Sequence, residues 1–465
     1  MISLDFDSNS QTVNLMPIYN SLSILQNEIN DLSTNTIARG YYSKMSDFST
    51  EEYLYNISDT ITVSTNAKNI YGPCIYSGVN QVGKIALDIY KVSSCSFHDN
   101  IGYTDLSCST LLDNTFSYGR VDLNIADASN NLFSLICGII SANTFSNNTL
   151  GANTMDIMAP TFSKNQISSG LYVITAKENT SNLYSDCTID LHGAGIFNNV
   201  FVSNVMNITG YNIYNNAYES VVQLYATGKS IHSEVYSRVS MMSLNASDIY
   251  LNQLELASSA RIQAIEFTGN SFEQMDILKL NVKSIYRNTL SICEKMKNYA
   301  SVIGGNEIKN VSLINETAAI ILDNTYSSIR KMEQVVLDSM TGNKYNYINV
   351  LKIQHRLNND STNDNYTRDK YCSNTFNNIS NLTYDGWCAN SYNWVNFLSI
   401  GGGLVGGTQT VSNCQFVIFD GGVPATCYNV KTAAFYPGAL NYVSGTTYSM
   451  TIPRGFVNNT YHGYV

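Results

Sequence analysis

The sequence predicts an all-β chain that winds as a solenoid, preceded by a short helical segment and followed by a small β domain. Short apolar runs alternate with Asn, Ser, Thr and Gly from about residue 60 to residue 400. Aromatic residues recur beside asparagines in the same region, and only 13% of the 465 residues are charged. Hydrophobic residues make up 44% of the chain, and burying their apolar surface can offset the entropy of ordering it. This composition excludes a disordered acidic protein.

The N-terminal segment, residues 1–50, contains one helical pattern. Its apolar residues follow one another at heptad spacing and are Ile18, Leu22, Leu25, Ile29 and Leu32. Two heptads are too short to hold a helix by propensity alone, so we expect this seam to associate with sister chains. The mixture of Ile and Leu permits a trimer. The alternative is an amphipathic helix that packs on its own domain.

The sequence pattern of residues 51–400 predicts a coiled sheet. The phrase Thr-Phe-Ser occurs twice, so Phe145 and Phe162 are seventeen residues apart. If each copy occupies one turn, the two rings stack, while Asn supplies a left-handed corner and a ladder of side-chain amides. The runs that predict strands are 84–90, 135–140, 171–174, 221–225, 249–256, 277–282 and 319–322.

Some segments interrupt this pattern. Residues 284–303 could form a short helix. Residues 327–342 could form another, but we keep them in the coil, because Val335–Asp338 echoes Ile320–Asp323 fifteen residues earlier. Residues 356–395 are polar and aromatic, and we expect a loop excursion or a cap. Residues 401–465 open with glycines and predict a separate small β domain.

Composition narrows the partners and the compartment. A net charge of −10 and few basic residues disfavour nucleic acid as a partner. The sequence has no run of eighteen apolar residues, so we expect no membrane insertion. Asp5 and Asp7 stand where a secretory signal would need basic and apolar residues. We expect the ten scattered cysteines to be reduced core residues. The only plausible bridges are Cys372–Cys388 and Cys414–Cys427.

This order of segments resembles bacteriophage tailspikes and tail or head fibres built on a trimeric right-handed parallel β-helix, a coil shared with pectate-lyase-like proteins. The resemblance rests on texture and order rather than on a diagnostic string. It implies a homotrimer whose residues 1–50 attach to other virion proteins, whose residues 51–400 form a shaft and whose residues 401–465 form a tip. It also implies binding to a host-surface glycan or protein, assembly in the host cytoplasm and release by lysis.

The sequence leaves enzymatic activity open and favours a non-enzymatic role. An enzyme on this coil would be a polysaccharide lyase or glycoside hydrolase, which needs two or three carboxylates on a groove. The carboxylates of the coil form no recognisable pair in sequence, and they are Asp156, Asp190, Glu219, Glu234, Asp248, Glu255, Glu266 and Asp276. No histidine has a second metal ligand at a suitable spacing, so we expect no metal and no cofactor.

One aromatic cluster suits sugar rings. It contains both tryptophans of the chain and consists of Tyr371, Trp387, Tyr392 and Trp394, with Asp364, Arg368 and Asp385 nearby in sequence. Flat aromatic faces beside hydrogen-bonding groups favour carbohydrate or receptor binding. The alternative is that the two tryptophans plug the end of the coil or the trimer axis.

Overall fold

The computed structural model is an all-β parallel solenoid of about 16 turns. It describes residues 53–57, 61–63, 69–78, 83–98, 101–117, 119–355, 373–385, 390–401, 409–414, 416–420, 425–428, 432–435, 442–443 and 449–451. No helix occurs among these residues, and so none that could span a bilayer. The predicted seam from Ile18 to Leu32 lies outside them and stays a prediction.

The described strands follow one another with short corners. The first part contains β1 Tyr53–Ile57, β2 Ile61–Val63, β3 Asn69–Gly78, β4 Gly83–His98, β5 Ile101–Leu112, β6 Thr115–Ser117, β7 Arg120–Ser129, β8 Leu132–Ser146, β9 Thr149–Met158, β10 Thr161–Ser163, β11 Gln166–Ser168, β12 Leu171–Thr180, β13 Leu183–Ser185, β14 Thr188–Phe197, β15 Val200–Val202, β16 Val205–Tyr214 and β17 Ala217–Tyr218.

Longer strands then become the rule. They are β18 Val221–His232, β19 Val235–Tyr250, β20 Gln253–Thr268, β21 Ser271–Tyr286, β22 Thr289–Gly304, β23 Glu307–Leu322, β24 Thr325–Thr341, β25 Lys344–His355, β26 Thr375–Asp385 and β27 Ser391–Gly401, followed by the short strands β28 Gln409–Ser412, β29 Phe416–Asp420, β30 Ala425–Tyr428, β31 Thr432–Phe435, β32 Tyr442–Val443 and β33 Ser449–Thr451. The chain divides into two compact units, Met1–Ala226 and Thr227–Val465.

In the first unit, the turns between Asn114 and Asn216 repeat every seventeen residues. The repeated phrase lies in register, with Thr161 beside Thr144 and Phe162 beside Phe145. The two phenylalanine rings stack at 5.5 Å between centroids, close to the spacing of neighbouring strands. The predicted stacking of these two rings is therefore confirmed.

A ladder of buried asparagines runs through this unit. Its members are Asn114, Asn131, Asn148, Asn165, Asn182, Asn199 and Asn216, each at most 2% exposed. Asn148 is representative: its backbone N–H and its Nδ2 both donate to Oδ1 of Asn165, at 2.9 and 3.2 Å. The same Nδ2 donates to the carbonyl of Ala128 in the preceding turn. Each amide thus joins three consecutive turns.

The second unit carries the same ladder, with a period of eighteen from Glu234 to Asn324. Glu234 takes the first position, and its backbone N–H donates to Oδ1 of Asn252. The asparagines that follow are Asn252, Asn270, Asn288, Asn306, Asn324, Asn343, Asn374 and Asn390. The predicted amide ladder is therefore confirmed in both units.

The left-handed corner is formed by the residue before each ladder asparagine from Asn114 to Asn374. These corner residues have φ between +51° and +69° and include Lys164, Leu251 and Arg287 as well as glycines. A left-handed residue with a side chain costs roughly 1–2 kcal/mol. Several buried hydrogen bonds per asparagine, each worth about 1 kcal/mol net, offset that cost. Among the corners that precede a ladder position, Asn itself makes the corner only where two asparagines are adjacent, as at Asn147.

Buried aromatic rings lie two residues after several ladder positions. In the first unit Phe97, Phe116 and Phe133 stack at 4.6 and 5.0 Å. In the second unit a similar stack contains Tyr326, Tyr345, Phe376 and Tyr392, with centroid distances of 4.9 to 5.0 Å. All of these side chains are at most 2% exposed. Like side chains therefore fill the interior in columns.

Several sequence predictions need correction. Residues 289–304 form strand β22, so the helix considered for residues 284–303 is wrong. Val335 lies beside Thr317 rather than Ile320, because the repeat is eighteen residues and not fifteen. The expected strand 249–256 is divided by the corner at Leu251. Most of residues 373–395 belongs to strands β26 and β27 rather than to a loop.

The C-terminal strands β28 to β33 pair in parallel with strands of preceding turns. Their pairing begins on β27, which both β28 and β29 join. The boundaries at residues 50 and 400 and the separate C-terminal domain stay predictions. Cys414 is a free thiol, which excludes the alternative Cys414–Cys427 bridge.

Replacing Asn270 by alanine tests the ladder. The substitution removes the acceptor for the N–H and the Nδ2 of Asn252 and the donor to the carbonyl of Ile249. Leaving these buried groups unsatisfied is expected to destabilise the protein by about 3–5 kcal/mol. The matched control is the exposed Asn245→Ala, expected within about 0.5 kcal/mol of the parent. Equal urea midpoints for the two variants would contradict the role of the ladder.

Candidate functional site

The structure separates the two described residues of the predicted aromatic cluster. Tyr392 is 0% exposed and its ring stacks on Phe376 at 5.0 Å inside the coil. Trp394 is 57% exposed and has φ +58°. Residues two apart in a strand normally face the same side, but the left-handed backbone at Trp394 turns its side chain outward. Asp364, Arg368, Tyr371 and Trp387 lie outside the described residues.

Trp394 belongs to a second left-handed column in the same unit. The column comprises Ile292, Asn310, Ser328, Tyr347, Asn378 and Trp394, with φ between +51° and +58°. The pairing of flanking residues places Tyr347, Asn378 and Trp394 on three consecutive turns. Tyr347 is 64% exposed. We call Tyr347, Asn378 and Trp394 the corner surface.

Amide groups line the base of the corner surface. Asn346, Asn377 and Asn393 precede its three residues and are in register with one another. Asn393 donates from Nδ2 to Oδ1 of Asn377 at 3.3 Å, and its own Oδ1 accepts from Nδ2 of Asn413 at 2.9 Å. Two exposed aromatic rings about two strand spacings apart, with amides between them, suit stacking and hydrogen bonding to a sugar chain.

A polar groove of about 570 Å³ lies at the equivalent corner of earlier turns in this unit. It is lined by Ser237, Arg238, Gln253, Leu254, Glu255, Leu256, Ser271, Glu273 and Gln274. Glu255 and Glu273 occupy equivalent positions on adjacent strands, as the pairing of their neighbours requires. Their backbones are therefore about 4.8 Å apart, a separation compatible with a carboxylate pair.

Both groove carboxylates are exposed, so the groove does not exclude water from them. A general acid of a glycosidase usually needs an apolar surrounding that keeps its carboxyl group protonated. Arg238, which lines the same groove, is exposed as well. The groove can hold a polar polymer, and it leaves both carboxylates open to solvent.

Two other carboxylates are buried. Glu234, a candidate from the sequence, occupies a ladder position at 0% exposure. Glu316, which sequence reasoning missed, is 2% exposed and accepts hydrogen bonds from Nδ2 of Asn298, Nε2 of Gln334 and the hydroxyl of Tyr326, at 2.8, 2.8 and 2.9 Å. Burial raises the pKa of Glu316 above its usual value. This acid is structural, because it is enclosed within the coil.

The remaining carboxylates named from the sequence lie on outer faces. Asp156 and Asp190 share a column with Val173 between them. Asp190 is 3.1 Å from Nε2 of His192, and both side chains are about 40% exposed. Glu219, Asp248, Glu266 and Asp276 are exposed or half-buried. Among the described residues, no three His, Cys, Asp or Glu side chains converge as a metal site would require.

Burial disfavours the thiolate form of three buried cysteines. Burial raises the pKa of Cys108 to about 12 and those of Cys293 and Cys414 to about 11. A thiol with such a pKa is protonated at neutral pH and reacts slowly. This agrees with the expectation that these cysteines serve as small core residues.

Comparison with protein-family models, with curated proteins and with solved structures gives no match to this chain. Function must therefore be inferred from the geometry itself, and the fold alone does not select one activity.

The Glu316→Gln variant tests the buried acid through its dependence on pH. Because the folded pKa is raised, the stabilising effect of the protonated carboxyl is complete below the unfolded pKa of about 4.3 and is lost as pH rises toward the folded pKa. A glutamine does not titrate, and its amide can donate to the buried Oδ1 of Asn298, which has no partner. We expect the parent and the variant to be similarly stable near pH 4.

At pH 8 we expect the variant to be the more stable, by about 1.4 kcal/mol for each unit by which the folded pKa exceeds the unfolded one. Thermal unfolding across this pH range is the measurement. The exposed Glu266→Gln serves as control and should track the parent. A Glu316→Gln curve parallel to that of the parent at every pH would contradict a raised pKa.

Proposed function

We propose that this chain is a structural virion protein, a phage fibre or tailspike, that assembles as a homotrimeric β-helical rod. The observation that carries the proposal is the parallel solenoid of about 16 turns, whose interior is joined from turn to turn by asparagine side chains. Such a coil satisfies its backbone hydrogen bonds between turns and resists bending, which suits a shaft.

In this proposal residues 1–50 trimerise through Ile18, Leu22, Leu25, Ile29 and Leu32 and attach to other virion proteins. The C-terminal half meets a host-surface glycan or protein. Within that half the corner surface supports glycan recognition, because Tyr347 and Trp394 present exposed rings beside amide groups. Asp364, Arg368, Tyr371 and Trp387 would add to this region from the segments that precede β26 and β27.

The trimer is tested by the mass of the purified full-length protein in solution, together with electron microscopy. We expect a thin threefold rod of three times the 51.4 kDa chain mass. The double variant Leu25→Asp/Ile29→Asp places charges on the seam and should yield monomers. Asn27→Asp/Asn30→Asp adds the same two charges beside the seam and should remain trimeric. A globular 51.4 kDa parent would overturn the proposal.

A second candidate function is polysaccharide depolymerisation in the polar groove. The observation in its favour is that Glu255 and Glu273 occupy equivalent positions on adjacent strands. A glycoside hydrolase would use one as acid and the other as base or nucleophile, whereas a lyase would use one to remove a proton beside a uronate.

The depolymerase candidate predicts release of reducing ends from capsular glycan. The Glu255→Gln and Glu273→Gln variants should each lower that rate by about 100-fold or more. The exposed Glu307→Gln, outside the groove, is the matched control and should retain the full rate. Absence of reducing ends with the parent protein, or equal rates in all variants, would remove this candidate.

A further inference from the structure

Three cations lie in one row on an outer face of the second unit. Arg261, Lys279 and Lys297 belong to the adjacent strands β20, β21 and β22 and pair in register, Arg261 with Lys279 and Lys279 with Lys297. All three side chains are exposed. Neighbouring strands are about 4.8 Å apart, so the row presents three positive charges along the direction in which turns stack. We call these three residues the basic row.

Within the part of the chain that the structure describes, no carboxylate pairs with the basic row. Elsewhere in this unit Lys295, Lys309 and Lys331 approach Glu294, Glu307 and Glu333 at 3.9, 3.7 and 3.0 Å. Among the ion pairs of the described residues, none includes a member of the basic row. Like charges directly opposite each other on neighbouring strands are destabilising. The chain nevertheless keeps them, although its net charge is −10.

The columns beside the basic row contain no acid. Two positions before the row, on the same strands, are Ser259, Ile277 and Lys295, and two positions after it are Gln263, Asn281 and Tyr299. Nζ of Lys297 lies 5.0 Å from the centre of the Tyr299 ring, which is 44% exposed. Cations, amides and one aromatic face therefore occupy a single sheet surface of three strands.

We propose that the basic row binds a linear polysaccharide whose sugars carry carboxylates, with the polymer lying along the stack of turns. Arg261, Lys279 and Lys297 would pair with the carboxylates through charge-assisted hydrogen bonds. Gln263 and Asn281 would bind hydroxyl groups, and Tyr299 would contact a sugar ring. The row is distinct from the corner surface and from the polar groove, and the proposal does not depend on the chain being a fibre.

Charge density favours a polyuronate over nucleic acid. Duplex DNA carries one charge per about 1.7 Å, and its binding proteins usually show an extensive basic surface. Here the basic row has three members on a chain of net charge −10, which repels a dense polyanion at long range. A polyuronate carries more widely spaced charges and many hydroxyl groups, and it matches both the cations and the amides.

The test measures binding of polygalacturonate to the full-length protein by calorimetry at low salt. We expect binding that weakens as salt increases, and no binding of neutral dextran. The Arg261→Gln/Lys279→Gln/Lys297→Gln variant should bind at least about tenfold more weakly. The matched control, Lys309→Gln/Lys331→Gln/Lys344→Gln, removes the same net charge elsewhere and should bind like the parent. Thermal unfolding of both variants checks that they remain folded.

Several results would overturn the proposal. The first is a parent protein that does not bind polygalacturonate at low salt. The second is an equal loss of binding in the two triple variants, which would show an effect of net charge alone. The third is binding of duplex DNA that is as tight as the binding of polygalacturonate and is lost in the basic-row variant. The fourth is a change in particle mass caused by the basic-row variant, which would make the row a contact between copies of this chain.

Discussion

The interaction on which the rest of the structure depends is the hydrogen bond from one ladder asparagine to the next. A side-chain amide both donates and accepts hydrogen bonds, so one planar group can bond to the turn before it and to the turn after it. The Nδ2 of Asn270 reaches the carbonyl of Ile249 and Oδ1 of Asn288, at 3.2 and 2.9 Å. Bonds in such a chain polarise one another. The ladder fixes the register, and the register places every column of side chains, inside and outside.

The sequence allowed the coil to be recognised because one phrase was repeated almost unchanged. Phe145 and Phe162 lie as that repetition requires. The length of the later turns was harder to predict, because the second unit repeats residue types at equivalent positions rather than a short identical sequence. The echo between Val335 and Ile320 was misleading because it spans fifteen residues, whereas Val335 pairs with Thr317, eighteen residues before it. The ladder asparagines at eighteen-residue intervals were the better signal.

The functional surfaces were less accessible to sequence reasoning than the fold. Tyr392 stands two residues after a ladder asparagine, as Phe376 does, and that position is always interior in the described turns. Trp394 faces outward because its backbone is left-handed, which composition does not reveal. Glu255 and Glu273 are eighteen residues apart, as are Arg261, Lys279 and Lys297. That such residues share one surface can be recognised only once the length of the turn is known.

One turn shows that the ladder tolerates additional residues between two of its members. Thirty-one residues separate Asn343 from Asn374, against eighteen in most turns of this unit, and yet the backbone N–H of Asn343 still donates to Oδ1 of Asn374 at 3.0 Å. Strands β25 and β26, which lie on either side of this interval, still pair in register, with Lys344 beside Thr375 and Ile353 beside Tyr384. New segments can therefore be spliced in at this point at little thermodynamic cost. Natural variation, or a designer who wishes to display a foreign peptide, can change the sequence between these two strands while the scaffold stays the same.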